Sequence, residues 1–448
     1  MIDTGDTAWV LVSAALVMLM TPGLALFYGG MVRAKSVLNM MMMSFVSLAV
    51  VGVLWVIYGF SLAFDNDAFG GLVGGVGKVG MHDVIGAVAG TIPLSAFAMF
   101  QLMFAIITAA LLAGAVADRT RFWPWVLFLT LWATFVYFPV AHWTFAVDGV
   151  AAAHGGWIVN GIPSWGYRGA LDFAGGTAVE INSGFSALAL ALVLGRRRGW
   201  PGEPMRPHNM PAVLLGAGLL WFGWFGFNAG SALSAGELAA TAFTATMTAS
   251  AAGVLAWLLT EQVTDGRPTT LGAASGAIAG LVGITPACGF VDPLGALLIG
   301  AVAGAVCALA VRLKFRFRFD DSLDVLALHG VAGLLGTLMI GLVATTRVNK
   351  AGGDGLFYGG GWSQLGVQAV AAFATLVYVF LATFVLAIVV KRIVGLRVDP
   401  ETEADGIDEA EHAETAYDFS SLSGGSDRRE RPRKPLQASA QASAGTEG

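Results

Sequence analysis

Apolar residues run along this chain in eleven stretches, near 8–30, 37–63, 93–117, 122–146, 173–195, 211–233, 238–260, 269–287, 293–311, 325–346 and 363–390. An apolar run of about 20 residues reads as a transmembrane helix, because a helix satisfies every backbone group internally where there is no water to do so. The predicted fold class is therefore all-α: a polytopic membrane domain of eleven helices over residues 1–397. After Val398 the pattern changes to a short acidic segment, 398–419, carrying Glu401, Glu403, Asp405, Asp408, Glu409, Glu411 and Glu414. From Ser420 to Gly448 the chain is Ser, Gly, Arg, Pro, Gln and Ala without apolar periodicity, which predicts a disordered end.

Composition agrees with the pattern. Charged residues make up 12% of the 448, against about 25% in soluble chains, so a lipid-embedded protein is expected and a nucleic-acid partner is not. Sixteen Lys and Arg, Arg33, Arg119, Arg197 and Arg397 among them, fall in one set of loops, against Lys78, Arg168, Arg347 and Lys350 in the other. By the positive-inside rule the N-terminus lies outside and the C-terminus in the cytoplasm of a cell (plasma or inner) membrane. The first residues, Met1 to Asp6, lack the basic region of a signal peptide, so the first stretch is expected to remain as a helix.

Eleven helices divide naturally into two five-helix halves of opposite orientation plus a long final helix, the inverted-repeat plan of many transporters. Phe27-Tyr28-Gly29-Gly30 has a faint counterpart in Phe227-Asn228-Ala229-Gly230. Only two ionisable groups lie deep in the apolar stretches, Glu180 in the fifth and His329 in the tenth. A charge at the bilayer centre costs about 3 kcal/mol or more, so such groups face a bundle interior or an aqueous path and mark a functional site. Asp172 opens the fifth stretch eight residues before Glu180, which puts the Glu180 carboxyl about 12 Å below the outer end. His329 approaches from the other side, so the two can meet near the midplane.

Other chemistry is sparse. Cys288 and Cys307 sit in apolar surroundings without metal-ligand spacing, so small core residues are expected, with neither a metal nor a cofactor. Gly272, Gly276 and Gly280 form a small-xxx-small helix face suited to close packing. The glycines before Lys78 do not make a phosphate loop, because Leu72 and Val79 stand where Gly and Ser or Thr are needed.

Four segments, taken in order, resemble the ammonium transporter family (Amt/Mep/Rh): Thr21 to Arg33, Asp172-Phe173-Ala174-Gly175-Gly176-Thr177, Trp224 to Ser231, and Leu328-His329-Gly330-Val331-Ala332-Gly333. The resemblance implies an eleven-helix protomer with a narrow central pore, assembled as a homotrimer. It implies a phenyl gate of Phe104 and Phe227 and an outer recruitment site of Trp224, Ser231 and Phe145. Asp172 would support that site by ordering nearby backbone, and Phe27 and Tyr28 would line the inner pore.

The chain departs from the family pattern twice. Glu180 stands where bacterial members have the first of two pore histidines, a variant similar to one in the fungal Mep branch. Phe145, after Ala141-His142-Trp143-Thr144, replaces the usual Trp of the outer site and is a weaker cation–π partner. A long external segment, Ala146 to Leu171, carries Trp157, Trp165 and Tyr167 as candidate replacement contacts.

The implied activity is recruitment of ammonium, its deprotonation, and passage of ammonia, alone or with a relayed proton, past Glu180 and His329. Methylammonium is a candidate second substrate. Gly395-Leu396-Arg397-Val398 and His412 to Tyr417 are similar to the family's cytoplasmic tail, which implies a PII-type signalling partner. An ammonium sensor is the alternative function. No enzyme is expected, since no Ser or Cys stands at motif spacing from the Glu/His pair.

Overall fold

The structure, a computed structural model, describes residues 1–203 and 205–417. The expected disordered end, 420–448, lies outside the described residues, as do the last two positions of the acidic segment. Among the described residues, ten helices are long and apolar enough to cross a membrane: α1 (Thr4–Met31), α2 (Val37–Phe64), α3 (Leu94–Val116), α4 (Phe122–Phe145), α5 (Gly176–Leu194), α6 (Met210–Gly230), α7 (Glu237–Asp265), α9 (Pro293–Phe317), α10 (Leu326–Val343) and α11 (Ser363–Ile393). Between α7 and α9 lies α8 (Thr270–Ile284), apolar but only 15 residues long. At 1.5 Å per residue it spans about 22 Å, less than the hydrocarbon core. A buried turn, Thr285–Phe290, finishes its course. The stretch expected as an eighth full span, 269–287, is thus a short helix plus a turn, both buried inside the bundle.

Helix starts are capped by side chains from the same few residue types. Asp3, Asn209, Thr269 and Asp292 each accept an amide hydrogen at the start of their helix. Among these ten helices α3 is the most enclosed and α11 the most open.

The two halves are related residue by residue. In α1 and α6 the equivalent positions differ by 200. A side chain at Gly30 would collide with Val213, and one at Gly230 with Ser13; likewise Gly23 abuts Gly216 and Leu220, and Gly223 abuts Leu16 and Met20. In α5 and α10 the shift is 149, the separation of Glu180 and His329. Gly184 abuts Gly330, and Gly333, its equivalent, abuts Ile181. Reciprocal contacts of this kind are the mark of a two-fold relation. Both α5 and α10 also open with a wide π-helical segment, Gly176–Ile181 and Leu326–Val331.

On the face rich in Arg and Lys, the acidic tail packs against the bundle as α12 (Pro400–Asp405) and α13 (Ile407–His412). Asp408 accepts the amides of Leu38 (3.0 Å) and Asn39 (2.9 Å) at the start of α2. Glu411 accepts the amide of Phe122 (2.9 Å) at the start of α4. Both carboxylates thus sit at positive helix ends. Buried Glu403 pairs with Arg397 (2.7 Å) and accepts the amide of Arg198 (2.6 Å). Deeper on this face, Arg197 forks onto Asp320 with two bonds of 2.9 Å and reaches Asp118 at 3.2 Å. Burial alone would raise the Asp320 carboxyl, but the Arg197 hydrogen bonds and the Arg119 charge hold it below the usual carboxylate range.

Candidate functional site

Span α5 places Glu180 by its opening turn. Gly175, at φ 109°, adopts a conformation that side chains resist. Its carbonyl accepts from Val179 (2.8 Å) and, five residues on, from Glu180 (3.1 Å). Asp172 caps this turn, accepting from the amides of Gly175 (2.8 Å), Gly176 (2.6 Å) and Thr177 (2.8 Å) and from the Thr177 hydroxyl. Its oxygens are therefore committed to backbone. Span α10 delivers His329 from the opposite direction, and the contacts of Gly184 and Gly333 bring the two helices close enough for the side chains to touch.

Glu180 Oε2 lies 2.7 Å from His329 Nδ1, a hydrogen bond whose proton can sit on either partner. Glu180 is fully buried and His329 is 3% exposed. The second oxygen, Oε1, has no hydrogen-bond partner among the described residues, which leaves one acceptor free in an enclosed space. That space is a narrow apolar cavity, with about 10 Å³ open to the centre of a water-sized molecule, or room for one such molecule at a time. Glu180, His329, Phe227 and Trp224 line it, with Phe27, Ile107, Leu111 and Leu220 among the remaining walls.

Phe104 and Phe227 stack at 4.2 Å and 22°. Trp224 lies 5.5 Å from Phe227 and is held by its indole N–H on Thr285 Oγ1 at 2.8 Å. Phe145 meets Phe104 edge-on at 5.9 Å and approaches Gly175. Ser231, at the end of α6, donates its hydroxyl to the Phe227 carbonyl at 2.8 Å, leaving oxygen lone pairs to accept. Phe104, Phe145, Phe227 and Trp224 thus form one aromatic cluster, with Ser231 one turn along from Phe227.

Other expected residues stand apart. Tyr28 is buried and donates to the Leu111 carbonyl at 3.1 Å, behind Phe27 and away from the cavity wall. Trp157 and Tyr167 pack on each other at 5.8 Å, with Trp157 also against Trp143, while Trp165 is exposed; their rings are used in the external segment itself. Sequence reasoning missed Ile107 and Leu111, which fall on the Phe104 face of α3 by helical spacing, a signal that was present. It also missed Thr285, which fixes the Trp224 indole from a turn that no pattern announced.

Residues 8–417 match the Ammonium Transporter Family. The chain belongs to the ammonium transporter family. It is 57% identical over 445 residues to the "Ammonium transporter" of Mycobacterium tuberculosis (strain ATCC 25618 / H37Rv), with 94% of this chain and 92% of the relative covered. Among solved structures of the family, Saccharomyces cerevisiae Mep2 superposes with a TM-score of 0.81 at 37% identity, covering 89% of this chain and 88% of that one. A "Sensor Amt Protein" superposes with a TM-score of 0.82 at 27% identity, covering 91% of this chain and 98% of that one.

Proposed function

We propose that this protein moves ammonium across the membrane by recruiting the cation at the aromatic cluster, removing a proton there, and passing ammonia through the cavity beside Glu180 and His329. One observation carries the reading: Phe227, stacked on Phe104, lines an apolar, single-molecule cavity whose wall also holds a buried, hydrogen-bonded Glu/His pair. A bare cation in such a space would be prohibitively desolvated, whereas neutral ammonia needs only hydrogen-bond partners. Phe145, Trp224 and Ser231 supply aromatic faces and a hydroxyl acceptor for the cation, on backbone ordered by Asp172. Glu180 Oε1 supplies an acceptor for an ammonia N–H, and the Glu180–His329 bond lets a proton move between the two groups. Phe27 narrows the inner part of the path, with Tyr28 fixing its backing helix.

The same reading places the basic face in the cytoplasm of a cell membrane, groups three copies into a homotrimer, and makes the docked tail the contact point for a PII-type regulator. Methylammonium uptake into liposomes holding the purified protein tests the core of it. Uptake above empty liposomes that falls in Glu180→Ala and His329→Ala is expected. Ammonium binding with no flux would instead favour a sensor, and neither binding nor flux would overturn the reading.

A further inference from the structure

Eight residues before His329 stands Asp321, at the same spacing as Asp172 before Glu180, so the 149-residue relation makes the two aspartates equivalents. The local geometry repeats: Thr177 N–H donates to Asp172 Oδ2 at 2.8 Å, and Leu326 N–H donates to Asp321 Oδ2 at 2.7 Å. The halves differ in how far the carboxylate is satisfied. Asp172 Oδ1 accepts the amides of Gly175 and Gly176 and Asp172 Oδ2 also accepts the Thr177 hydroxyl, whereas Leu326, the equivalent of Thr177, has no hydroxyl to give. Asp321 Oδ1 is buried without a hydrogen-bond partner among the described residues, in a side chain only 2% exposed.

The surroundings suit a group that trades protons. The next three residues, Ser322, Leu323 and Asp324, line a cavity of about 220 Å³ on the basic face, together with Arg197 and Lys314. On the inner side, the Tyr28 hydroxyl packs near Val325 across Gly114 and stands within electrostatic reach of both Asp321 and Glu180. Asp321 thus directly precedes the residues that line the vestibule, and Tyr28 links it electrostatically to Glu180 of the pore pair. The charged groups around it are Asp324 and Lys314, which pair with each other at 2.7 Å, and Lys314 also donates to the Asp321 carbonyl. Burial first, and then the Asp324 charge, push the Asp321 carboxyl up to about 6, against the opposing pull of Lys314. A carboxyl near the working pH is the most effective kind of proton carrier.

We propose that Asp321 is the proton-exchange group of the basic-face mouth, a role that rests on the transport reading above. For ammonium leaving the cytoplasm, Oδ1 of the carboxylate takes a proton from nitrogen; the N–H bond breaks as the O–H bond forms, ammonia enters the cavity, and the acid then gives its proton to vestibule water. Inward transport runs the same steps backwards.

The test is labelled methylammonium efflux from vesicles of known sidedness, with the cytoplasmic-side pH set between about 5 and 8 and each variant expressed as a ratio to wild type. Asp321→Asn should match wild type near the acid end, where Asp321 is protonated in any case, and fall at least about fivefold behind it at the alkaline end. Leu326→Thr restores the missing hydroxyl donor, keeps the cap, and should displace the wild-type inflection to lower pH by about one unit, as hydrogen bonds to the charged form do. A flat ratio for either folded variant overturns the proposal and leaves Asp321 as a helix cap; if Asp321→Asn fails to fold, Leu326→Thr decides alone. Absence of methylammonium flux in wild type would sink the transport reading instead.

Discussion

Gly184 and Gly330 meet backbone to backbone, so closely that a methyl group on Gly184 would overlap the amide nitrogen and Cα of Gly330. This contact, with its counterpart at Gly333, sets the distance at which Glu180 and His329 face each other. Gly184→Ala should therefore separate α5 from α10 and destabilise the protein by about 1–3 kcal/mol, the usual cost of overpacking. Thermal unfolding in detergent reads it. A melting temperature equal to wild type would mean that the crossing yields without strain.

Glu180 and His329 share one hydrogen bond, and the second Glu180 oxygen has no partner among the described residues. Removing one leaves the other buried and unpaired, so each single Ala variant should lose most of the transport rate. The double variant should be little worse than the poorer single one, as for groups acting together. Additive losses in the double-mutant cycle would separate their roles.

Phe145 stands edge-on to Phe104 at the aromatic cluster, and an indole there would present a stronger face to a cation. Phe145→Trp should lower the half-saturating ammonium concentration about fivefold, which corresponds to about 1 kcal/mol. Unchanged or weaker apparent affinity would place recruitment elsewhere.

Asp320, buried with Arg197 and Arg119, has its carboxyl held below the usual range. A carboxyl depressed on folding contributes stability that is complete above its unfolded value of about 3.9 and is lost as pH falls through the folded value. Amide protection of the surrounding segments, corrected for the intrinsic pH dependence of exchange, should accordingly be steady from neutrality to about pH 4 and fall below it. Asp320→Asn leaves two buried guanidinium groups short of a partner and should cost about 3–5 kcal/mol at neutral pH, with a shallower acid dependence than wild type. An acid profile unaltered by the substitution would remove Asp320 from the account.

The tail holds α2 through the Asp408 carboxylate. Asp408→Ala should remove a helix cap worth about 1 kcal/mol and make the segment around α13 cleave faster in limited proteolysis. Equal cleavage rates would mean that Glu411 and the Arg397–Glu403 pair suffice to hold it.

Much of the bundle was legible because lipid imposes length and polarity on every crossing, and ten of the long apolar stretches became helices close to their expected bounds. The stretch around 269–287 read as one more full span. Its shortness was hidden because the turn after Ile284 is as apolar as the helix. The Glu180–His329 contact followed from the scarcity of charge at depth. The equivalence of Asp172 with Asp321 did not, since Asp320, Asp321 and Asp324 all stand shortly before His329, and the shared amide contacts at Thr177 and Leu326 reveal which aspartate corresponds. Tyr28 and Thr285 were illegible for a simpler reason: their partners are a carbonyl and an indole from distant helices.

The wide turns that open α5 and α10 amount to one extra residue inside each helix. Deleting a single residue, Ala178 for example, would let the opening of α5 close to regular winding while the segments on either side keep nearly their present phase, because the wide turn takes up its surplus residue within one turn. The interval from the Asp172 cap to the Glu180 carboxyl would shrink by one residue and the paired bonds on the Gly175 carbonyl would be lost, although the helix itself would be regularly hydrogen-bonded. Span α5 therefore gives up regular winding to hold one more residue between its mouth and its middle.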